Sequence, residues 1–161
     1  MGHVSKALDD EHRTNLDLLG RVEQAFARAH GAGASRDPEF AGLARNFGRH
    51  LRQDIGRHFD FEERELFPLL DAAGEGDIAE LLKEEHDAIR AVATELLPLA
   101  DLAGAGALDD AGFRALKRAV LELVERQVAH IQKETMALLP VLDDLLDEPM
   151  DRALAMAYAS G

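Results

Sequence analysis

The second half of this chain repeats the chemistry of the first. His58-Phe59-Asp60-Phe61-Glu62 is followed by Pro68, and His130-Ile131-Gln132-Lys133-Glu134 is followed by Pro140; all three matched positions, His, Glu and Pro, are offset by 72 residues. Upstream, Leu8-Asp9-Asp10-Glu11-His12 resembles Leu82-Lys83-Glu84-Glu85-His86 at an offset of 74. Each half therefore reads as one His and then, 46 or 44 residues later, a His-x-x-x-Glu pair and a Pro.

Chain breakers show what carries the repeat. Gly31-Ala32-Gly33-Ala34-Ser35 with Asp37-Pro38, Gly74-Glu75-Gly76, and Gly104-Ala105-Gly106 with Asp109-Asp110 mark three turns. Ala and Leu are abundant, Tyr occurs once and Trp is absent, a composition that favours helices over sheet. Four helices are expected between the breakers, over about 4–30, 38–72, 77–102 and 110–145. In the last, Phe113, Leu116, Val120, Leu123, Gln127, His130, Glu134, Ala137 and Val141 step by three and four, as a bundle seam does. Similar seams run through Ile78, Leu82, His86, Ile89, Ala93 and Leu96, and through Leu51, Ile55, His58, Glu62, Leu66 and Leu69. Short loops make neighbouring long helices antiparallel, so the fold expected is an all-α, up-down-up-down four-helix bundle. The tail from Glu148, with Pro149 next, adds a short C-terminal fifth helix at about 148–159. With 161 residues the chain is expected to form one domain.

Counting along the arms places the repeat in space. His12 and His58 lie about 20 residues either side of the first turn, and at ~1.5 Å rise per residue both arms measure ~30 Å. Glu62 and His86 are likewise equidistant from the second turn, and His86 and His130 from the third within the uncertainty of helix ends. Six side chains thus converge on one layer of the core: a lone His from each of two helices, and a His and a Glu at i, i+4 on one face of each of the others. One His-x-x-x-Glu pair is ordinarily a solvated surface pair. Two copies in core register, each matched by a lone His at its own level, would be very costly to bury unless a cation compensates them. Imidazole plus carboxylate suits iron, manganese or zinc better than calcium or copper(I). His12, His58, Glu62, His86, His130 and Glu134 are the expected ligands, the two Glu bridging two metals and the His capping them two apiece. His3, His30 and His50 fall off this layer, and His50-x-x-x-Asp54 reads as an outer-face pair. Pro68 and Pro140 are expected one or two turns beyond the layer, bending their helices around the core.

Charge and composition narrow the rest. There are 18 Lys plus Arg against 31 Asp plus Glu, a net charge of −13, which disfavours nucleic acid and anionic membrane surfaces as partners. The absence of Cys excludes disulfides, thiolate zinc sites, iron–sulfur clusters and thiol catalysis. Charged residues from Asp9 to Arg13 stand where a signal peptide needs an apolar run, and no stretch reaches the ~20 apolar residues of a membrane span. A cytoplasmic protein, monomer or homodimer, is expected.

Together, Glu11-His12, His58-x-x-x-Glu62-Glu63 leading to Leu66-Phe67-Pro68, Glu85-His86, and His130-x-x-x-Glu134 leading to Leu138-Leu139-Pro140 resemble the hemerythrin-like (HHE cation-binding) domain family over residues 4–145. The resemblance implies two Fe ions with a bridging oxo or hydroxo group, held by His12, His58, His86, His130, Glu62 and Glu134. Invertebrate oxygen carriers of this family have a further His four residues after the third-helix His, where this chain has Arg90, and end in His-x-x-x-x-Asp instead of His-x-x-x-Glu. The departure disfavours reversible oxygen carriage. It favours chemistry on a small oxidant, hydrogen peroxide, oxygen or nitric oxide, including catalase-like peroxide decomposition, in which both metals keep an open or water-filled position. The alternatives are a non-catalytic oxygen- or iron-binding, storage or sensing module, and a purely structural bundle that associates through its fifth helix.

Overall fold

Aspartates open three of the five helices of the computed structural model, which describes residues 1–31, 33 and 36–161. The Asp37 carboxylate accepts from the Glu39 N–H at 3.1 Å, Asp109 from Gly112 at 2.7 Å and Asp147 from Met150 at 2.9 Å. Each satisfies an amide that has no partner within its own helix. The helices are α1 (His3–Arg28), α2 (38–72), α3 (Gly76–Gly104), α4 (110–145) and α5 (Glu148–Ser160). At the ends of α2 and α3, Gly74 and Gly106 take positive φ values of 83° and 68°. The amides that follow reach back over the helix end, Glu75 N–H to the Leu70 carbonyl at 2.8 Å and Ala107 N–H to that of Leu102 at 2.9 Å. In the first expected turn, Ala32, Ala34 and Ser35 lie outside the described residues.

The four long helices run up-down-up-down, with α3 packed on α2 and α4, and α1 on α4. The chain is all-α: no strand occurs among the described residues. Helix α1 has no side-chain cap of its own. Asp151 of α5 supplies one, accepting from the His3 N–H at 2.7 Å and the Val4 N–H at 2.9 Å, while Asp143 accepts from Gly2 at 2.9 Å. The fifth helix is thereby fastened to the beginning of the chain.

Two apolar clusters stack along the bundle. One, at the end of the first and third turns, gathers Phe26, Phe40, Phe47, Leu96, Phe113 and Leu116 among others; the second, around the middle turn and the chain termini, gathers Leu8, Leu66, Leu70, Leu82, Leu138 and Leu142. The layer of His and Glu residues lies between them.

Near that layer α2 and α4 are wound more widely than plain α-helices. Turns of the i→i+5 π type occupy Asp54–Phe59 and Glu62–Leu66 in α2 and Glu134–Leu138 in α4, so that Phe67 N–H bonds the Glu62 carbonyl and Leu139 N–H that of Glu134. The buried side chains explain the winding. They step by four: Asp54, His58, Glu62, Leu66 and Leu70 in α2, then His130, Glu134, Leu138 and Leu142 in α4. At ~100° per residue an α-helix overshoots by about 40° at each such step, which would turn Leu70 nearly opposite to Asp54. Wider turns rotate less per residue and hold all five on one face. The seams read from α-helical periodicity are corrected accordingly. Ile55, Leu69, Ala137 and Val141 are only half-buried, and Asp54, Leu70, Leu138 and Leu142 take the core positions. Pro68 and Pro140 lie exposed just past the wide turns, in the first turn of the resuming α-helix.

Candidate metal centre

The six residues expected from the sequence meet between the two apolar clusters, and none of them is more than 3% exposed. His12 Nε2 lies 3.2 Å from Glu134 Oε2, and His58 Nε2 lies 3.2 Å from Glu62 Oε1 and 3.8 Å from Glu134 Oε2. His86 Nε2 is 3.3 Å from Glu62 Oε1, 3.7 Å from Glu134 Oε1 and 3.1 Å from His130 Nε2, which itself contacts Glu134 Oε1. All four imidazoles thus turn Nε2 inward onto two carboxylates. The donor atoms fall into two adjoining groups, each with its atoms within 4.8 Å of one another: Glu62, His86, His130 and Glu134, and His12, His58 and Glu134. Glu134 belongs to both.

The carboxylates are under-satisfied. Both oxygens of Glu62 and Oε1 of Glu134 are buried without a hydrogen-bond partner, a condition that costs several kcal/mol for a charged group in an apolar core. Burial, reinforced by the charge of Glu134, pushes the Glu62 carboxyl above its ordinary range. Glu134 is driven the other way in spite of its burial, because Glu62, His130 and His12 all favour its charged form. Burial alone would also strip protons from the imidazoles, yet His58 and His86 are raised by the surrounding carboxylates and His130 is pushed up to about 10 by Glu134 and Glu85. The layer attracts positive charge. Protons or a metal cation both answer that demand, and a cation with several open coordination positions engages the carboxylate oxygens and the imidazole nitrogens together.

Outside the layer each Nδ1 has its own partner, and these partners were missed in the sequence reading. His58 Nδ1 donates to Glu11 at 2.9 Å, His86 to Glu63 at 2.7 Å, His130 to Glu85 at 2.8 Å and His12 to Thr135 Oγ1 at 3.2 Å. Every partner is the sequence neighbour of a layer residue, in Glu11-His12, Glu62-Glu63, Glu85-His86 and Glu134-Thr135, so adjacency to the layer residues was the available signal. Such outward hydrogen bonds fix the ring orientation and raise the basicity of the inward nitrogen. Glu11 and Glu85 stay below the usual carboxylate range: burial works against this, and hydrogen bonds from His58 and Tyr158, or from His130 and Lys133, outweigh it.

Two further residues acquire roles that the sequence did not reveal. Tyr158, the one tyrosine of the chain, reaches in from α5 to hydrogen-bond Glu11 and to stand 3.0 Å from His58 Nδ1. Arg90 points away from the layer, pairing with Glu63 at 2.7 Å and Asp87 at 3.2 Å, and lies 5.5 Å from the ring of Phe59. That ring stacks on His86 at 3.8 Å, so Phe59 takes the space beside His86.

The remaining histidines stay off the layer. His3 and His30 are exposed. The reading of His50 and Asp54 as an outer-face pair is overturned: Asp54 is buried and accepts from Asn15 at 3.2 Å and Gln127 at 3.0 Å, while His50 hydrogen-bonds Asn15 instead. Wide winding at Asp54–Phe59 carries Asp54 to the inner face that α-periodicity gave to Ile55. A cleft of about 880 Å³ lies by Arg28, His30 and Asp37 and touches none of the six residues. A smaller open cleft of about 370 Å³, lined by Glu11, Asn15, His50, Asp54, His58 and Tyr158, does reach the layer.

A helical bundle with a cation-attracting core of imidazoles and carboxylates is the class that fold and site define. The chain matches the family model of the hemerythrin HHE cation binding domain over residues 3–145, and it belongs to that family. No curated protein matches the sequence. Helix α5, which delivers Asp151 and Tyr158, lies beyond the matched residues. Among the described residues no helix is long and apolar enough to cross a membrane.

Proposed function

We propose that this protein holds two iron ions in the layer, with Glu62 and Glu134 as bridges and His12, His58, His86 and His130 as terminal ligands, joined by an oxo or hydroxo group, and that it reacts with small oxidants. The observation that carries the reading is the set of three buried carboxylate oxygens without a hydrogen-bond partner, faced by four imidazole Nε2 atoms. Iron so held supplies a redox centre and a Lewis acid toward hydrogen peroxide, oxygen or nitric oxide. The chain's own part is to orient the imidazoles through Glu11, Glu63, Glu85 and Thr135, and to exclude bulk water with apolar clusters on both sides of the layer. Position 90, four residues after His86, is an arginine held outward on Glu63 and Asp87, so it offers no third imidazole on the His86 side. That arrangement supports reaction with an oxidant over reversible oxygen carriage.

Metal analysis and an optical spectrum of aerobically purified protein test the proposal. About two irons per chain are expected, together with faster conversion of hydrogen peroxide to water and oxygen than free iron gives. Glu62→Ala is expected to lower the occupancy of both ions and abolish turnover, because it removes a bridge. One iron per chain, or zinc alone after iron-replete expression, overturns the two-iron reading. A stable reversible oxygen adduct without peroxide turnover overturns the reactive one.

A further inference from the structure

The chain holds very few side chains that give up a single electron: one Tyr, no Trp and no Cys. Its four methionines, Met1, Met136, Met150 and Met156, are exposed, and a thioether meets an oxidant by taking up an oxygen atom. Tyr158, by contrast, is buried against the layer. Its hydroxyl donates to Glu11 Oε2, the same oxygen that accepts from His58 Nδ1 at 2.9 Å, and stands 3.0 Å from that nitrogen. The His58 ring carries on into the layer, where its Nε2 faces Glu62 at 3.2 Å. A phenol, a carboxylate able to take its proton and a ring that ends in the layer are therefore in mutual contact. Arg57 lies 4.8 Å from the centre of the phenol ring and donates to the Tyr158 carbonyl. A positive charge that close opposes a cationic ring, so an electron leaves Tyr158 at low cost only if its proton leaves too. Glu11 is placed to receive that proton.

We infer that Tyr158 is a redox residue, the point at which a small one-electron donor such as ascorbate feeds electrons into the layer while hydrogen peroxide is reduced there. The inference rests on the reading that the layer holds iron that reacts with peroxide. In the step the phenolic O–H bond breaks: the electron passes through the His58 ring to the layer, the proton goes to Glu11, and a neutral phenoxyl radical remains. The donor then returns one electron and one proton, which remakes the O–H bond. Two such rounds supply the two electrons, and solvent the two protons, that turn one peroxide into two waters, leaving two donor molecules each oxidised by one electron. Tyr158 lines the open cleft of about 370 Å³ together with Glu11, His50 and Arg57, so a donor meets it there without entering the layer. The helix that delivers Tyr158 lies beyond the residues matched by the family model, which makes this route a property of the fifth helix of this chain.

Iron-loaded, desalted protein mixed with hydrogen peroxide, frozen at intervals and measured by electron paramagnetic resonance tests this, with ascorbate oxidation followed in parallel by its ultraviolet absorption. A radical signal is expected that narrows when the protein is grown on ring-deuterated tyrosine, which assigns it to Tyr158 because the chain has no other tyrosine. Ascorbate should quench the signal. Tyr158→Phe, which keeps the ring and removes only the hydroxyl, should lose both the signal and the peroxide-dependent oxidation of ascorbate at unchanged iron content. Peroxide consumed without a radical, a radical that the deuterium label leaves unchanged, or ascorbate oxidation undiminished in Tyr158→Phe at full iron content overturns the inference while the iron reading stands. Should the variant lose its iron, the label in the unmodified chain decides by itself. Protein that holds no iron, or iron-loaded protein that leaves peroxide untouched, overturns both.

Discussion

The bundle has two kinds of core, and they are stabilised differently. Around Phe26, Phe40, Phe47 and Phe113 the core is packed from apolar side chains, in plain α-helical winding, and removal of that surface from water drives the packing. At the level of His58 and Glu62 the helices bury six ionisable side chains, and two of them widen their winding to aim those groups at one point. In the first region lost volume is the main cost. The second needs a cation or its protonic substitute.

The sharpest separation comes from deleting a side chain in the apolar region. Phe47 is fully enclosed, and Phe47→Ala is expected to cost about 3–5 kcal/mol, which lowers the melting temperature by roughly 6–20 °C in a chain of this size. Iron content per folded chain should not change. Loss of iron from a protein that still folds would show that the two regions are not independent. Calorimetry paired with metal analysis checks both statements.

Removing the metal is the complementary test. At free metal 100 times Kd, binding adds about 2.7 kcal/mol to stability, so the metal-free protein should melt roughly 5–11 °C lower, with the loss confined to the layer and its flanking turns. Hydrogen exchange should accelerate first at amides of 54–66 and 130–138 and least around Phe47. An unchanged melting temperature after verified metal removal would mean that the layer is not where the metal binds.

This contrast also explains which parts of the structure were legible in the sequence. Helix ends were readable because Asp37, Asp109, Gly74 and Gly106 act locally, through a cap or a positive φ. The convergence of His12, His58, Glu62, His86, His130 and Glu134 was readable because the repeat and the arm lengths fix their heights. Seam positions beyond the glutamates were not, since 3.6-residue periodicity cannot anticipate a wide turn; hence Leu69, Ala137 and Val141 in place of Leu70, Leu138 and Leu142. The partners Glu11, Glu63, Glu85 and Thr135 adjoin layer residues in sequence but act on the neighbouring helix, so adjacency alone does not assign them, and the reach of α5 to Glu11 through Tyr158 spans nearly the whole chain and is marked by no local pattern.

A smaller effect separates both core regions from the fastening of α5. The Asp151 carboxyl caps α1, and although burial opposes it, the His3 and Val4 amides hold its pKa below the ordinary 3.8. A carboxylate depressed on folding stabilises above its unfolded pKa and loses that contribution as pH falls through the folded value. Asp151→Ala should therefore destabilise metal-free protein by about 1 kcal/mol at neutral pH, with the difference from the unmodified chain shrinking below about pH 3.8. A gap between the two melting curves that is independent of pH would remove the capping carboxylate as its cause.

The smallest expected effect decides what sets the wide winding. Pro68 follows one wide turn and Pro140 another, and each lacks the N–H that would continue the α-helical ladder. Yet the turn at Asp54–Phe59 is equally wide, and the next proline is nine residues beyond it. Proline is therefore not required; the four-residue stepping of Asp54, His58, Glu62, Leu66 and Leu70 into the core is the common factor. Pro68→Ala should accordingly lower stability by less than about 1 kcal/mol, through the freer unfolded chain, and leave the metal stoichiometry and the optical spectrum of the iron-loaded protein as they were. If the spectrum shifts, the proline shapes the end of the centre and the winding is imposed from outside the layer. If it does not, the layer winds its own helices, and the polar region differs from the apolar one in backbone as well as in chemistry.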